Sequence, residues 1–256
     1  MICTLRKKDL YETGPWKRTG IGPFSKMTRE GGLEYVLQKG QETVGQITVP
    51  FDGVQGIKYQ QVLWSDGKRM QLHHFSLKEM HTAGRKCDYP CFEYTFETGE
   101  HGTVGQTNVK LTGNHTYLST DGRWIKFDGN YCYHYIEQDG IRYCLYEVGF
   151  GKRAVYYCIY SDDILIAMVS LNMTVHNGQN IYEIYAEDSV ELPLILILIL
   201  LKDWYTAWDY DKNRRFTAYH YEYTEYRCLN TWQMALKEKY DPDFIEKIVA
   251  LENSKR

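Results

Sequence analysis

The chain has 256 residues, 43% of them hydrophobic and 25% charged, and its formal net charge is −3 at pH 7. This composition excludes a disordered or fibrous protein, because it supplies enough apolar side chains to bury a sizeable core. The nearly balanced charge gives no global electrostatic reason to bind nucleic acid, so we expect no nucleic-acid partner.

The beginning of the chain and its cysteines indicate where the protein resides. Residues 1–8 are basic but no apolar stretch follows them, so the sequence predicts no secretory signal peptide and a cytoplasmic location. Seven cysteines, an odd number with mostly wide gaps, favour reduced thiols over a disulfide framework. The 23 tyrosines favour strands, because aromatic side chains suit pleated, half-buried surfaces.

A recurring hairpin pattern occupies the first two thirds of the chain. Residues 35–49 and 94–109 each read as strand, polar tip and strand, and both contain Val-Gly-Gln, beginning at Val44 and Val104. A degenerate third copy covers residues 157–171. A period of this length suggests duplicated supersecondary units.

Further turn signals lie between these units. Asp-Gly pairs at 66–67, 121–122 and 139–140 predict tight hairpin turns, because glycine adopts positive φ without strain. About ten to twelve strands before residue 188 predict an antiparallel meander, closed into a barrel or folded into a sandwich. Clear strand-like segments are residues 59–64, 123–127, 131–136, 141–148 and 154–160.

An apolar run at residues 192–201 interrupts the strand pattern. It falls well short of the roughly 20 residues that span a bilayer, so we expect no transmembrane span. Periodicity alone would also allow a buried strand. Pro193 suits a first helical turn and the apolar character continues to Trp208, which together favour a helix over about 190–208. A helix that is apolar all round must be enclosed by protein.

The number of predicted strands is consistent with an enclosed helix. A barrel of eight strands is filled by its own side chains, whereas about twelve strands leave a lumen that a helix can occupy. The sequence therefore predicts an all-β fold, an antiparallel barrel of about twelve strands enclosing a central hydrophobic α-helix, within residues 1–209. Residues 210–256 form a predicted C-terminal extension that packs on the barrel and ends in a short helical tail.

Within that extension, residues 212–228 are basic and then tyrosine-rich, and they fit either a strand or a helix. Residues 229–240 and 242–253 look like two short helices, broken at Pro242. The second of them carries Phe244, Ile248 and Leu251 on one face.

The repeated hairpins followed by a short apolar helix resemble the tubby-like superfamily, which includes the tubby C-terminal domain, the LURP-one-related proteins and the phospholipid scramblases. The resemblance rests on residues 157–208, above all on 166–171, 180–188 and 192–208. It implies a twelve-stranded barrel around a hydrophobic helix, and no catalytic machinery shared by most members. Two features depart from the family pattern: nearly 50 residues follow the helix, and the basic residues of the tubby phosphoinositide site have no located counterpart.

Two groups of residues are candidate sites. Cys87, Cys91 and His81 are possible zinc ligands, since thiolate and imidazole suit tetrahedral Zn²⁺. No second Cys or His pair follows at a typical interval, so an ordinary surface loop with incidental thiols is the alternative, and we expect no cofactor.

The second candidate is the basic segment, which we define as Lys212, Arg214, Arg215 and Tyr219. Adjacent basic and aromatic side chains attract anionic headgroups, and arginine binds phosphate in a fork. A solvated edge is the alternative interpretation of the same residues.

The leading hypothesis is a non-catalytic intracellular binding or scaffold module whose partner is an anionic phospholipid or another protein. The alternative is a protein-interaction or structural domain without a lipid ligand. A metal-dependent or thiol hydrolase ranks third, because the common nucleophile, phosphate-loop and dinucleotide motifs are absent from the sequence.

Overall fold

The computed structural model describes residues 1–9, 16–19, 26–29, 32–50, 59–75, 82, 91–118, 124–150, 154–171, 174–176, 180–214, 224–226 and 236–255. Within these residues, twelve antiparallel strands form a closed barrel, and a helix lies inside it. The predicted fold class is confirmed.

The described part of the chain contains sixteen strands. They are β1 (Ile2–Asp9), β2 (Trp16–Thr19), β3 (Lys26–Arg29), β4 (Gly32–Lys39), β5 (Glu42–Pro50), β6 (Tyr59–Trp64), β7 (Arg69–Phe75), β8 (Cys91–Phe96), β9 (His101–Leu118), β10 (Trp124–Gln138), β11 (Ile141–Phe150), β12 (Ala154–Ser161), β13 (Ile164–Leu171), β14 (Thr174–His176), β15 (Ile181–Ala186) and β16 (Thr224–Tyr226). The order around the barrel is β1-β15-β13-β12-β11-β10-β9-β8-β7-β6-β5-β4, so β1 closes it between β15 and β4. Two separate pairs, β2 with β3 and β14 with β16, complete the list.

Five tight turns lie at one end of the barrel, which we call the hairpin end. These turns connect consecutive strands at residues 40–41, 65–68, 97–100, 139–140 and 162–163. The predicted Asp-Gly turns at 66–67 and 139–140 are among them, and Gly67 and Gly140 have φ of 88° and 79°. The third predicted pair, at 121–122, lies outside the described residues. We call the other end of the barrel the opposite end.

Three glycines lie directly across from aromatic residues of the neighbouring strand. The pairs are Gly45 with Trp64, Gly102 with Tyr94, and Gly105 with Tyr135. A Cβ added to Gly102 or Gly105 would lie 2.3 Å from an atom of the opposite tyrosine, whereas one added to Gly45 would lie 3.4 Å from Trp64. Bare glycine backbone therefore gives the two tyrosine rings room to lie across the strand.

The repeated Val-Gly-Gln segments occupy the second strand of two hairpins but face different ways. In β5, Gly45 faces core residues, and an added Cβ would touch Leu37 and Trp64. In β9 it is Val104 that belongs to the core, which turns Gly105 outward. Since strand side chains alternate between faces, the two copies are out of phase by one residue and are not structurally equivalent.

Strand β10 corrects one boundary of the sequence prediction. Residues 123–127 and 131–136 were expected as separate strands, but Trp124–Gln138 is continuous and pairs with β9 from Trp124 to Tyr135. The pairing register shifts between Phe127 and Gly129. A bulge absorbs the irregularity without ending the strand, which is why the polar residues 128–130 do not form a turn.

The central helix (Leu192–Arg214) begins at the hairpin end and runs toward the opposite end. Its residues 194–201 are each at most 2% exposed and pack against inward-facing side chains of the barrel. Burial of each large aliphatic side chain contributes roughly 2 kcal/mol, so this segment is a substantial part of the core. The helix ends at Arg214 rather than near residue 208. None of the helices among the described residues has the length and apolar character needed to cross a membrane.

A second apolar cluster lies on the outer wall of the barrel, under the C-terminal helix (Pro242–Ser254). Phe244 and Ile248 are buried there, while Leu251 on the same helix is 49% exposed. Asp241 caps the helix by accepting a hydrogen bond from the Asp243 amide at 3.0 Å. The cluster also contains Val148, Cys158, Met168 and Leu236.

A short segment just before the C-terminal helix fixes its approach to the barrel. The Tyr160 hydroxyl donates to the Lys239 carbonyl at 3.0 Å, and the Lys239 ammonium lies 4.9 Å and 5.0 Å from the ring centres of Tyr146 and Tyr160. Burial beneath this cover raises the pKa of the Cys158 thiol to about 12. Cys3, Cys144 and Cys158 are all buried free thiols.

The glycine–aromatic pairs generate a stability prediction. Gly102→Ala and Gly105→Ala are each expected to lower the free energy of unfolding by about 1–3 kcal/mol, because the new methyl group displaces a packed tyrosine ring. Gly45→Ala is the matched control, because its new Cβ would lie at an ordinary contact distance of 3.4 Å from the nearest atom. We expect it to lower the free energy of unfolding by less than about 1 kcal/mol. Urea denaturation of the three variants checks this, and equal losses would contradict the packing explanation.

Candidate functional site

A fully buried carboxylate marks the site. Asp203, on the central helix, is 0% exposed and accepts hydrogen bonds from four side chains. Lys7 Nζ donates to its Oδ2 at 2.8 Å and Asn180 Nδ2 donates to its Oδ1 at 2.6 Å. The Tyr35 hydroxyl donates to Oδ2 and the Tyr182 hydroxyl donates to Oδ1. Side chains from β1, from β4, from β15 and from the residue before β15 therefore converge on the two carboxylate oxygens of Asp203.

The Asp203 carboxylate remains ionised despite its position. Burial alone would raise its pKa, but the Lys7 charge and the hydrogen bonds from Lys7, Tyr182 and Tyr35 outweigh burial and hold the pKa below its ordinary value. A buried ion pair is stable when hydrogen bonds satisfy the remaining lone pairs. This network meets that condition, because each carboxylate oxygen accepts two hydrogen bonds.

The preceding residue of the helix forms a second ion pair with another wall. Lys202 Nζ lies 2.9 Å from Glu147 Oε2 on β11, and both side chains are mostly buried. Successive residues of an α-helix point about 100° apart. Strands β1 and β11 are four positions apart in the twelve-stranded ring, which is about a third of a turn. The angle between the two side chains around the helix is therefore close to the angle between their partner strands around the barrel.

The inner wall around these ion pairs is polar, in contrast to the apolar hairpin half of the lumen. Gln60, His74 and His134 are all buried, at 1%, 3% and 6% exposure. Burial and the neighbouring Lys202 charge lower the pKa of His134 to about 3, and burial lowers the pKa of His74 well below its ordinary value. Both imidazoles are therefore neutral at physiological pH.

The course of the central helix determines where the first part of the basic segment lies. The helix continues eleven residues beyond Asp203, so Lys212 and Arg214 lie on its last turn, about 14 and 17 Å further along the axis. Cations at a helix C-terminus are also favoured by the helix dipole. Arg215 and Tyr219 lie outside the described residues. The described chain resumes at β16. This strand pairs with β14, which lies between β13 and β15 in sequence but outside the barrel.

The candidate zinc ligands receive no test from the structure. Cys91 begins β8 at the opposite end of the barrel, while His81 and Cys87 lie outside the described residues. Among the side chains that are described, no group of three or more His, Cys, Asp or Glu residues is arranged to hold a metal ion. The zinc site stays a prediction.

The sequence did not single out the Asp203 network, although it contains a signal. Cys3, Leu5 and Lys7 alternate along β1, which puts the lysine on the same inward face as two core residues. Asp203 follows directly after the apolar run and was interpreted as its polar end. A charge embedded in each of two apolar patterns is the feature that predicts a buried pair.

No protein-family model, curated protein or solved structure matches this chain.

The ion pair generates the first prediction for this site. Asp203→Asn and Lys7→Met are each expected to lower the free energy of unfolding by about 3–5 kcal/mol, because each leaves a buried charge without its partner. The double variant is expected to cost less than the sum, with a coupling of about 2–3 kcal/mol in a double-mutant cycle measured by urea denaturation. The exposed pair Asp188 and Lys255 is the matched control, for which we expect no measurable coupling. Additive costs at Asp203 and Lys7 would contradict the proposed pairing.

The buried histidine generates a pH prediction. The unfolded chain binds a proton at His134 below about pH 6.5, but the folded protein does so only near pH 3, so stability falls as the pH drops through this window. His134→Gln is expected to remove about 2 kcal/mol of the loss between pH 7 and pH 5. Urea denaturation at both pH values measures it. His101→Gln, at an exposed position, is the control, and an unchanged pH dependence in His134→Gln would reject the explanation.

Proposed function

We propose that this protein is a non-catalytic intracellular binding module that recognises anionic lipid headgroups through the basic segment. The observation that carries the proposal is the continuity of the central helix from the barrel core to Arg214. Lys212 and Arg214 belong to the same helix whose buried half is anchored by Asp203 and Lys202. Their backbone is therefore preorganised, which lowers the conformational cost of binding a headgroup.

We further propose that the chain is a tubby-like barrel protein. Support comes from the architecture, a closed barrel of twelve antiparallel strands around an apolar helix. Fold does not determine function, so the headgroup hypothesis rests on the basic segment itself and not on this kinship.

A protein-interaction domain without a lipid ligand remains the alternative. In that hypothesis the C-terminal tail docks the partner. The apolar face of the tail is, however, already used within the chain, since Phe244 and Ile248 pack against the outer wall of the barrel. This contact favours the basic segment over the tail as the binding element.

The test is cosedimentation with vesicles of phosphatidylcholine alone or mixed with anionic phospholipid. We expect salt-sensitive binding to the anionic vesicles only. A basic residue near an anionic surface contributes about 1 kcal/mol, so Arg214→Ala with Arg215→Ala is expected to weaken binding roughly 30-fold.

The matched control removes two exposed basic residues near the hairpin end, Lys39→Ala with Arg69→Ala, and is expected to bind like the unmodified protein. Equal losses in the two double variants would indicate a nonspecific charge effect. Absence of binding at low and moderate salt would overturn the headgroup proposal and leave the protein-interaction alternative.

A further inference from the structure

Charge is distributed unevenly along the barrel axis. We define the hairpin rim as the five turns of the hairpin end together with residues 187–191, which lead into the central helix. The rim carries nine carboxylates and one lysine. All but Glu187 are exposed, and they are Asp66, Lys68, Glu97, Glu100, Asp139, Asp162, Asp163, Asp188 and Glu191.

The rest of the chain has the opposite sign. The whole protein has a formal charge of −3 and the rim contributes −8, so the residues outside the rim together carry +5. The hairpin rim is therefore a strongly acidic end of the described barrel, although the cations Lys39 and Arg69 flank two of its turns. The helix dipole reinforces the arrangement, since carboxylates are favoured at a helix N-terminus and cations at its C-terminus.

The part of the outer wall that the C-terminal helix covers is also unfavourable for contact with an anionic surface. Residues 241–255 contain four carboxylates and two lysines. Lys255 contacts Asp188 at 2.5 Å, which attaches the end of this helix to the rim. An anionic bilayer therefore repels both the hairpin rim and this part of the side wall.

The two ends of the central helix are far apart on the scale of electrostatic screening. Leu192 and Lys212 are separated by about 30 Å along the central helix. The Debye length at physiological ionic strength is about 8 Å. When the opposite end touches a membrane, the rim lies several screening lengths away, and its nine carboxylates neither weaken binding nor meet the headgroups.

From this charge distribution we propose that the barrel docks upright on an anionic bilayer, with the opposite end against the lipid and the hairpin rim pointing away. The inference rests on the proposed headgroup binding and adds the orientation of the molecule. The rim then remains accessible from the aqueous side while the protein is bound.

Amide hydrogen exchange of the full chain, with and without vesicles containing anionic phospholipid, tests this orientation. We expect exchange to slow in peptides that cover residues 204–226 and to stay unchanged in peptides that cover 97–100, 139–140, 162–163 and 242–254. Slowing of the turn peptides or of the C-terminal helix to the same degree would overturn the upright orientation, as would no slowing at 204–226 in sedimented protein. Failure to sediment with the vesicles would instead reject the headgroup proposal itself.

A charge reversal at the rim provides an independent measurement. Glu97→Lys with Asp163→Lys is expected to change the vesicle affinity less than twofold at physiological salt, because these residues lie beyond the range of the surface potential. A larger rise in affinity would mean that the rim reaches the bilayer, which contradicts the proposal. Both residues lie in exposed turns, so folding is checked by the unchanged urea midpoint of the variant.

Discussion

The buried contact between Lys7 and Asp203 is the constraint on which the arrangement of this protein depends. A helix of alternating leucine and isoleucine packs well against an apolar lumen in many rotations and axial positions, since the hydrophobic effect has no direction. Ion pairs and hydrogen bonds do have direction. The carboxylate of Asp203 has to meet donors from three strands at once, and Lys202 has to meet Glu147 on a fourth. We infer that these contacts select one rotation and one depth for the helix.

Much of the fold could be predicted from local signals. Asp-Gly pairs specify turns through the conformational freedom of glycine, and the apolar run at 192–201 identifies a segment that needs enclosure. Counting strands then gives a barrel with room for it. Each of these inferences uses residues that are close together in sequence, which is why they succeed without knowledge of the tertiary structure.

The site was harder to predict because its members are distant in sequence. Lys7 and Asp203 are 196 positions apart, and neither carries a motif. Asp203 resembles an ordinary polar helix end until Lys7, Tyr35, Asn180 and Tyr182 are known to surround it. The Val-Gly-Gln repeat was uninformative for a related reason, since the identical letters face opposite sides of the wall in β5 and β9.

The position of the central helix in the chain affects how the protein is made. All twelve barrel strands precede the helix, and β1 must wait for β15 before the ring can close. During synthesis, the lumen of the barrel therefore lacks the helix until residues 192–203 have emerged from the ribosome. Long-range strand pairing of this kind folds slowly and exposes apolar surface meanwhile. A core helix that follows the strands enclosing it leaves the inner face of the barrel uncovered while the strands pair.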